Sequence, residues 1–509
     1  MKVLHSSHAR GTWQVARWMV VGAALPLWWA CNARTLAPPD SRPSRATTTD
    51  FPASLSRQAD ILFMIDNSNS MAPLQTKLLD QFTVFMDRLK MIPAADGSGP
   101  ALPDVHIAVI SSDTGPGEFT AAGGCVLDGD QGLFQFRPRG SCGVSPLHTS
   151  PTQQTFLAAS MNQTIRNYDG DISDAFKCIA ALGDQGCGFE GQLKSVRWAL
   201  DGSNAANQGF LRADALLAVI LITNEDDCSL PDSSDLVDPS QNAISDPLGP
   251  LASFRCNEFG HLCLIDGKLQ PPPRGVTTNL EGCVSNDTAS GKLTKVADEV
   301  AFLKQLKRDP RQIFVAAITG PATPYRVEMD PAPGNGGALI PTVAHSCMQS
   351  TGEYGDPAVR IQQWVSAFGD HGLLEPICAD TFRPALDAIA TAIETALDPQ
   401  CIDGTLVDED PGTTALDPDC QVVDRYIDGQ SQVVETALHA CARDATLPCW
   451  ALADDTTKCS KGKLVQVTRG ADPLPDGLRT SISCSTCIEG TAQAGCPCVT
   501  GKEVPGCLP

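Results

Sequence analysis

The run Ile61-Leu62-Phe63-Met64-Ile65 is apolar at every position and stops at Asp66-Asn67-Ser68-Asn69-Ser70. A strand with apolar side chains on both faces must be covered on both, as inside a parallel sheet with helices above and below. A helical pattern follows at once: Pro73 stands where a helix start tolerates it, and Leu74, Leu78, Phe82, Phe85 and Leu89 recur at helical spacing to about Lys90. Asp66, Ser68 and Ser70 are therefore expected just past the carboxyl end of a buried strand, where open α/β sheets bind ligands. One carboxylate and two hydroxyls at alternate positions are hard oxygen donors, suited to Mg²⁺ or Ca²⁺ and not to zinc. Their plainer use is to cap the next helix.

The same pattern repeats along the chain. Val105–Ile110 predicts a second buried strand ending in Ser111-Ser112-Asp113, with His106 a hydrogen-bonded core residue, not a ligand. Ala215–Thr223 predicts the most hydrophobic strand, followed by Asn224-Glu225-Asp226-Asp227. Gln312–Thr319 and a short run from Leu373 to Cys378 predict two more, and Leu133–Phe136 a third strand in chain order, pinned by a local disulfide between Cys125 and Cys142. Helices are expected near 152–165, 171–182, 190–201, 293–306, 356–368 and 382–397, with a Gly/Pro-rich loop over 321–345. Alternation of strands and helices over 60–398 predicts an α/β fold with a doubly wound, mostly parallel sheet.

The D-x-S-x-S stretch at Asp66, Ser68 and Ser70, between a buried strand and a helix, resembles the metal-ion-dependent adhesion site of von Willebrand factor type A (VWA) domains. So does the Leu221-Ile222-Thr223-Asn224 turn. The resemblance covers roughly 60–398 and implies a Rossmann-like fold in which the two serines ligate a divalent cation and the Asp helps directly or through water. It also implies a protein partner whose own carboxylate takes the open coordination position. Two positions depart from the family. Asn224 stands where the family has Asp, and Gly186–Gly191 lacks the family's Thr. The resemblance then leaves one or more of Glu190, Asp226 and Asp227 to complete a set for Mg²⁺ or Ca²⁺ with Asp66, Ser68, Ser70 and Asn224, or a degenerate site that holds no metal, or a Ca²⁺ site built differently.

The amino terminus reads as an export signal over 1–30, with basic residues ahead of the apolar run Trp18–Ala30. Ala30-Cys31 resembles the end of a bacterial lipobox, which implies lipid attachment at Cys31 and a bacterial envelope location, anchored at the outer membrane or cell surface. Residues 31–55 read as anchor and flexible tether, rich in Pro, Ser and Thr. Removing Cys31 from the 21 cysteines leaves two even sets, ten up to Cys378 and ten from Cys401. In an exported chain these read as disulfides within two units. The first set is Cys125, Cys142, Cys178, Cys187, Cys228, Cys256, Cys263, Cys283, Cys347 and Cys378; Cys178 and Cys187 are spaced to staple a Gly-rich turn. Cys228, Cys256, Cys263 and Cys283 would staple a long insertion at about 229–290. The organisation expected is a VWA-like domain over 56–398 and a small Cys-rich module over 399–509. Cys484-x-x-Cys487 and Cys496-x-Cys498 superficially suit zinc, but disulfides suit an exported chain better.

A net charge of −22 excludes sequence-independent nucleic-acid binding. Asp169-Gly-Asp171 begins like a calcium loop but lacks the later Gly and Glu that such a loop needs. Hydrolase, metalloprotease and P-loop motifs are absent, and the histidines lie scattered. The expectation is a surface binding or adhesion protein, not an enzyme, that captures a partner's acidic residue and touches the membrane only through its anchor. A structural envelope component and an exported hydrolase are the alternatives.

Overall fold

The computed structural model describes residues 45–52, 58–92, 100–119, 125, 128–137, 154–160, 165–213, 215–307, 312–331, 338–397, 401–412, 416–427, 432–454, 462–470, 478–488, 490–500 and 504–508. The export signal, Cys31 and Cys142 lie outside the described residues. Among the described residues no helix is long and apolar enough to cross a membrane.

Six strands form the central sheet, in the spatial order Gly372–Pro376, Ile313–Thr319, Leu216–Ile222, Gln58–Ile65, Asp104–Ser111 and Leu157–Ala159. The first five run parallel and the last is antiparallel. Ile65 sits opposite both Ser111 and Ile222, and Ile222 opposite Ile318, so the carboxyl ends finish level. Successive side chains of the Gln58–Ile65 strand point to opposite faces. Ile61, Phe63 and Ile65 join the core beneath the helices Ala72–Leu89, Ile172–Ala180 and Arg383–Leu397. Leu62 and Met64 join a second core beneath Gln192–Leu200, Val296–Gln305 and Val359–Ser366. Helices thus cover both faces, as the all-apolar run demanded. Phe63 is the hub of the first core, with Phe82, Phe85 and Phe176 ring centroids 4.9–5.5 Å away.

Four details differ from the sequence reading. The edge strand is Leu157–Ala159, inside the segment expected to be helical; Leu157 and Ala159 are buried and Ala158 is not, a period of two too short to outweigh the helical reading. Residues 133–136 are not a strand, although Gln135 N still donates to Val109 O at 2.7 Å. The stretch 321–345 is not all loop, because Tyr325–Pro331 and Leu339–Val343 extend the insertion's own strands, His261–Ile265, Lys268–Gln270 and Thr278–Ser285, into a five-stranded sheet. Finally, Arg45–Pro52, read as part of a tether, is a strand antiparallel to Arg479–Thr486. Its β-branched Thr run satisfies its backbone by pairing with that edge.

Disulfides also differ. Cys125 pairs with Cys187, so neither the Cys125–Cys142 nor the Cys178–Cys187 link forms; Cys178 is bonded elsewhere. Cys228–Cys256 and Cys263–Cys283 staple the insertion, and Cys347–Cys378 ties the last strand to the preceding loop. Six carboxyl-terminal strands and Arg45–Pro52 form a seven-stranded sheet that packs on Ile402, Val422, Leu438, Trp450, Val465 and Ile482. Cys484 pairs with Cys420, Cys487 with Cys496 and Cys498 with Cys507, which uses the sulfurs a zinc site would need.

Residues 229–253 have little regular structure, yet they enclose one side of the sheet's carboxyl end. Arg255 organises them. Its guanidinium is buried and donates to the carbonyls of Pro250, Leu236, Asp238, Gln241 and Gly249. Five fixed donors facing five carbonyls suit Arg and not Lys. We expect Arg255→Met to expose 231–250 to limited proteolysis while amides of the central sheet keep their exchange protection. Non-reducing peptide mapping should recover the Cys125–Cys187 peptide and no Cys178–Cys187 peptide.

Candidate functional site

At the carboxyl end of the sheet the chain must join three strand ends whose backbone ladder has run out. Asp66 does this. Its Oδ2 accepts from Thr223 Oγ1 at 2.7 Å, and its Oδ1 accepts from Ser112 Oγ at 3.0 Å and from the backbone N of Ser68 at 2.8 Å. Asp66 is completely buried, and burial raises its pKa above the ordinary value while these hydrogen bonds pull it down. Gln75, one turn into the next helix, donates to Asp66 O and to Gly183 O, both at 2.7 Å.

The turn bends Ser68 and Ser70 to the same side, with 3.2 Å between their hydroxyl oxygens. Ser70 Oγ donates to Asn224 Oδ1 at 3.0 Å, so the first turn and the acidic turn meet as the sequence predicted. Glu190 comes from the loop before the Gln192–Leu200 helix. Gly191 N donates to Ser112 O and Cys228 N to Glu190 O, which pins Glu190 between two strand ends. The loop approaches closely only because Gly186 and Gly191 have no side chain: a β-carbon would strike Asn67 Oδ1 at the first and Thr114 Oγ1 at the second. Cys187 between them is tied to Cys125.

Asp226 and Asp227 do not join this group. Asp226 accepts from His261 Nε2 at 2.8 Å and from the backbone N of Arg360 and Ile361, capping the Val359–Ser366 helix. Burial works against its charge, but His261 and the Arg360 amide hold its pKa below the ordinary value. Asp227 accepts two bonds from the Arg360 guanidinium, at 3.1 and 2.8 Å, and one from Leu193 N at 2.9 Å. Each carboxylate is consumed by donors that would otherwise be buried without partners, which removes both from the expected metal set.

Glu225 lines the cavity with Glu190 instead. Gln192 Nε2 bonds Thr223 Oγ1 at 3.1 Å and Glu225 O at 3.4 Å, fixing the turn so that the Glu225 side chain meets Glu190. The sequence reading passed over Glu225 for the two aspartates beyond it. The available signal was distance, since each further residue moves away by ~3.3 Å along an extended chain. Ser68, Ser70, Glu190 and Glu225 line a cavity of about 270 Å³ that is also bounded by Leu251 and Tyr354.

Two carboxyls facing each other with no cation are electrostatically costly. Burial, then Glu225 and Asp66, push the Glu190 carboxyl well up; burial, then Asp356 and Asp66, push Glu225 up to about 8. Glu190 Oε1 and Asn224 Nδ2 are buried without hydrogen-bond partners. Among the described residues no three His, Cys, Asp or Glu side chains form a ready-made metal cage. The two glutamates with the two serine hydroxyls and the Asn224 amide oxygen nonetheless form a hard, oxygen-only donor set of the kind that Mg²⁺ or Ca²⁺ takes. Two residues that the sequence set aside as ligands have structural partners: His106 Nδ1 meets Phe210 O at 2.8 Å, and Asp171 caps a helix by accepting from Ser173 N.

No protein-family profile matches the chain, and no curated protein does so. Solved structures that resemble it include the pilus adhesin SpaC from Lactobacillus rhamnosus GG (12% identity, TM-score 0.28, 86% of this chain and 40% of that one). A von Willebrand factor type A protein from Catenulispora acidiphila shows 10% identity and a TM-score of 0.25 over 89% of this chain and 62% of that one. The pilus adhesin RrgA from Streptococcus pneumoniae shows 12% identity and a TM-score of 0.27 over 86% and 58%. The chain spans less than two thirds of the length of each.

A raised carboxyl pKa means that the folded protein keeps a proton the unfolded chain releases. Glu225 therefore contributes stability below its unfolded value of 4.5 that is lost as pH rises toward about 8. In EDTA, wild type should lose roughly 2 kcal/mol more than Glu225→Gln between about pH 5 and pH 8, after discounting for partial exposure. Urea denaturation at the two pH values measures the difference, and a saturating divalent cation should shrink it.

Proposed function

We propose that residues 58–397 form a doubly wound, VWA-like domain whose sheet end holds Mg²⁺ or Ca²⁺ and binds a partner's carboxylate. The observation that carries this reading is the cavity on which Ser68, Ser70, Glu190 and Glu225 converge, with an unpartnered Glu190 oxygen at its wall. Ser68, Ser70, Glu190 and Glu225 would hold the ion, with the Asn224 amide oxygen beside them and Asp66 bracing the turn. The ion would offer a positive point to an acidic group that the surrounding glutamates would otherwise repel. Binding, not turnover, is the activity.

Two sets of disulfides fit an oxidising, extracytoplasmic compartment. The reading therefore places the protein on the bacterial surface, exported by residues 1–30 and lipid-anchored at Cys31. A structural envelope component with a vestigial site is the second reading, and the full use of the Asp66 carboxylate by internal donors favours it.

Calorimetric titration with Mg²⁺, Mn²⁺ and Ca²⁺ separates the two. One site should saturate, and an ion at a hundred times its Kd should stabilise the fold by about 2.7 kcal/mol. Glu190→Gln and Ser70→Ala should each weaken the ion roughly tenfold or more, a loss of about 1.4 kcal/mol, without unfolding the domain. Absence of both heat and thermal shift with all three ions would leave the structural reading standing.

A further inference from the structure

Behind the proposed ion site lies a second chamber of about 210 Å³, which shares Glu190, Glu225 and Tyr354 with the first. Its far wall holds Asp356 and His345. This wall is built with care. Asp356 N donates to Asn224 O at 2.7 Å, which docks the 354–356 segment against the acidic turn. Gly320 permits that docking, because a β-carbon there would strike the Asp356 backbone. The His345 ring stacks on Tyr354 with centroids 3.7 Å apart, and its Nδ1 contacts Asp356 Oδ1 at 2.5 Å. Burial raises the Asp356 carboxyl above its ordinary pKa, and the His345 contact pulls it back down.

Among the described residues neither chamber is lined by any Lys or Arg. The nearby Arg360 is spent on Asp227, and Asp226 on His261. Asp356, bonded to His345, and Glu225 thus face the second chamber with no Lys or Arg in its lining, beside an aromatic ring, and Glu190, 2% exposed, adds an oxygen without a partner. Such a wall attracts an ammonium or guanidinium group. The volume falls short of the ~300 Å³ at which drug-sized pockets begin, so it suits one long side chain. Ala252 and Ser253 from the insertion line both chambers and Thr342 closes the second, which favours a slender chain over a broad protein surface.

We propose that the second chamber receives a lysine or arginine side chain, and that the partner's recognition element is an extended peptide carrying an acidic and a basic residue a few positions apart. The acidic half rests on the ion reading above; the basic half does not. The test is fluorescence anisotropy of the full chain with Gly/Ser-flanked peptides bearing Asp alone, Lys alone, Arg alone, or Asp with Lys, Arg or norleucine one to three residues away. It is run in Mg²⁺, in Ca²⁺ and in EDTA. With the ion, the best doubly charged peptide should bind roughly tenfold more tightly than Asp alone, and Asp356→Asn should reduce that ratio below about two when both peptides are measured on the variant. In EDTA the Lys-alone or Arg-alone peptide should still bind weakly to wild type and lose that binding in Asp356→Asn. Failure of the Asp-alone peptide with every ion, with the basic peptides behaving as described, would defeat the ion reading and keep the basic chamber. Equal gains from norleucine, no gain from Lys or Arg at any spacing, or a gain that survives Asp356→Asn and Asp356→Ala would overturn the proposal.

Discussion

The hydrogen bonds of the buried Asp66 carboxylate hold the working end of the molecule together. A carboxylate without solvent is tolerable only if its lone pairs are met. Thr223 and Ser112 meet them from the two strands on either side, and the Ser68 amide meets one from the next turn. The same three bonds align the ends of neighbouring strands, so the location of every other polar group in the site follows from them. This also limits what Asp66 can do. With both oxygens engaged it is a brace for the turn, and the hydroxyls of Ser68 and Ser70 are the groups presented outward.

The four residues after Thr223 show how partners, not composition, assign roles. Asn224 reaches the first turn, and Glu225 faces the cavity. Asp226 and Asp227 turn back, toward the amides that start one helix, a buried guanidinium and a histidine of the insertion. A helix start offers unpaired N–H groups and a favourable dipole for an acid, and Arg360 cannot stay buried without a counter-charge. Asp226 and Asp227 answer both needs and secure the insertion's His261 in the process. Glu225 and Glu190 have no such donors and meet each other instead, so their pKa values rise and they hold protons beside a cavity.

Much of this arrangement is legible in the sequence, and the limits have physical causes. A five-residue run apolar on both faces requires a two-sided cover, and the parallel strands with their helices follow from that. The meeting of Ser70 with Asn224 follows because both lie in the turns that leave two level, neighbouring strand ends. Glu190 is found by its place before a helix on the neighbouring loop. Glu225 is harder, because three consecutive acids look alike until Arg360 and His261, 133 and 35 residues away from their partners, claim two of them. Tyr354, His345 and Asp356 sit in a stretch with no periodicity, and long-range links such as the bond from Asp356 N to Asn224 O bring them in. Disulfide pairing is similarly opaque. Cys187 lies nearer in sequence to Cys178, yet the fold presents it to Cys125.

The insertion changes the character of the sheet end. An open α/β sheet leaves its carboxyl edge as a shallow crevice, accessible to a broad partner. Here Arg255 gathers residues 236–250 onto its guanidinium, and Asp226 anchors the following strand through His261, so the 251–254 turn stands beside the cavity as a wall. The added strands Tyr325–Pro331 and Leu339–Val343 bring Pro341 and Thr342 to the opposite side. Enclosure lowers the local dielectric, so an unpaired glutamate costs more there than on an open surface, and an ion or a basic group that relieves it gains correspondingly more. Walls and buried acids are therefore parts of one arrangement: the enclosure that raises the Glu190 and Glu225 carboxyls is the same enclosure that would strengthen any positive group placed between them.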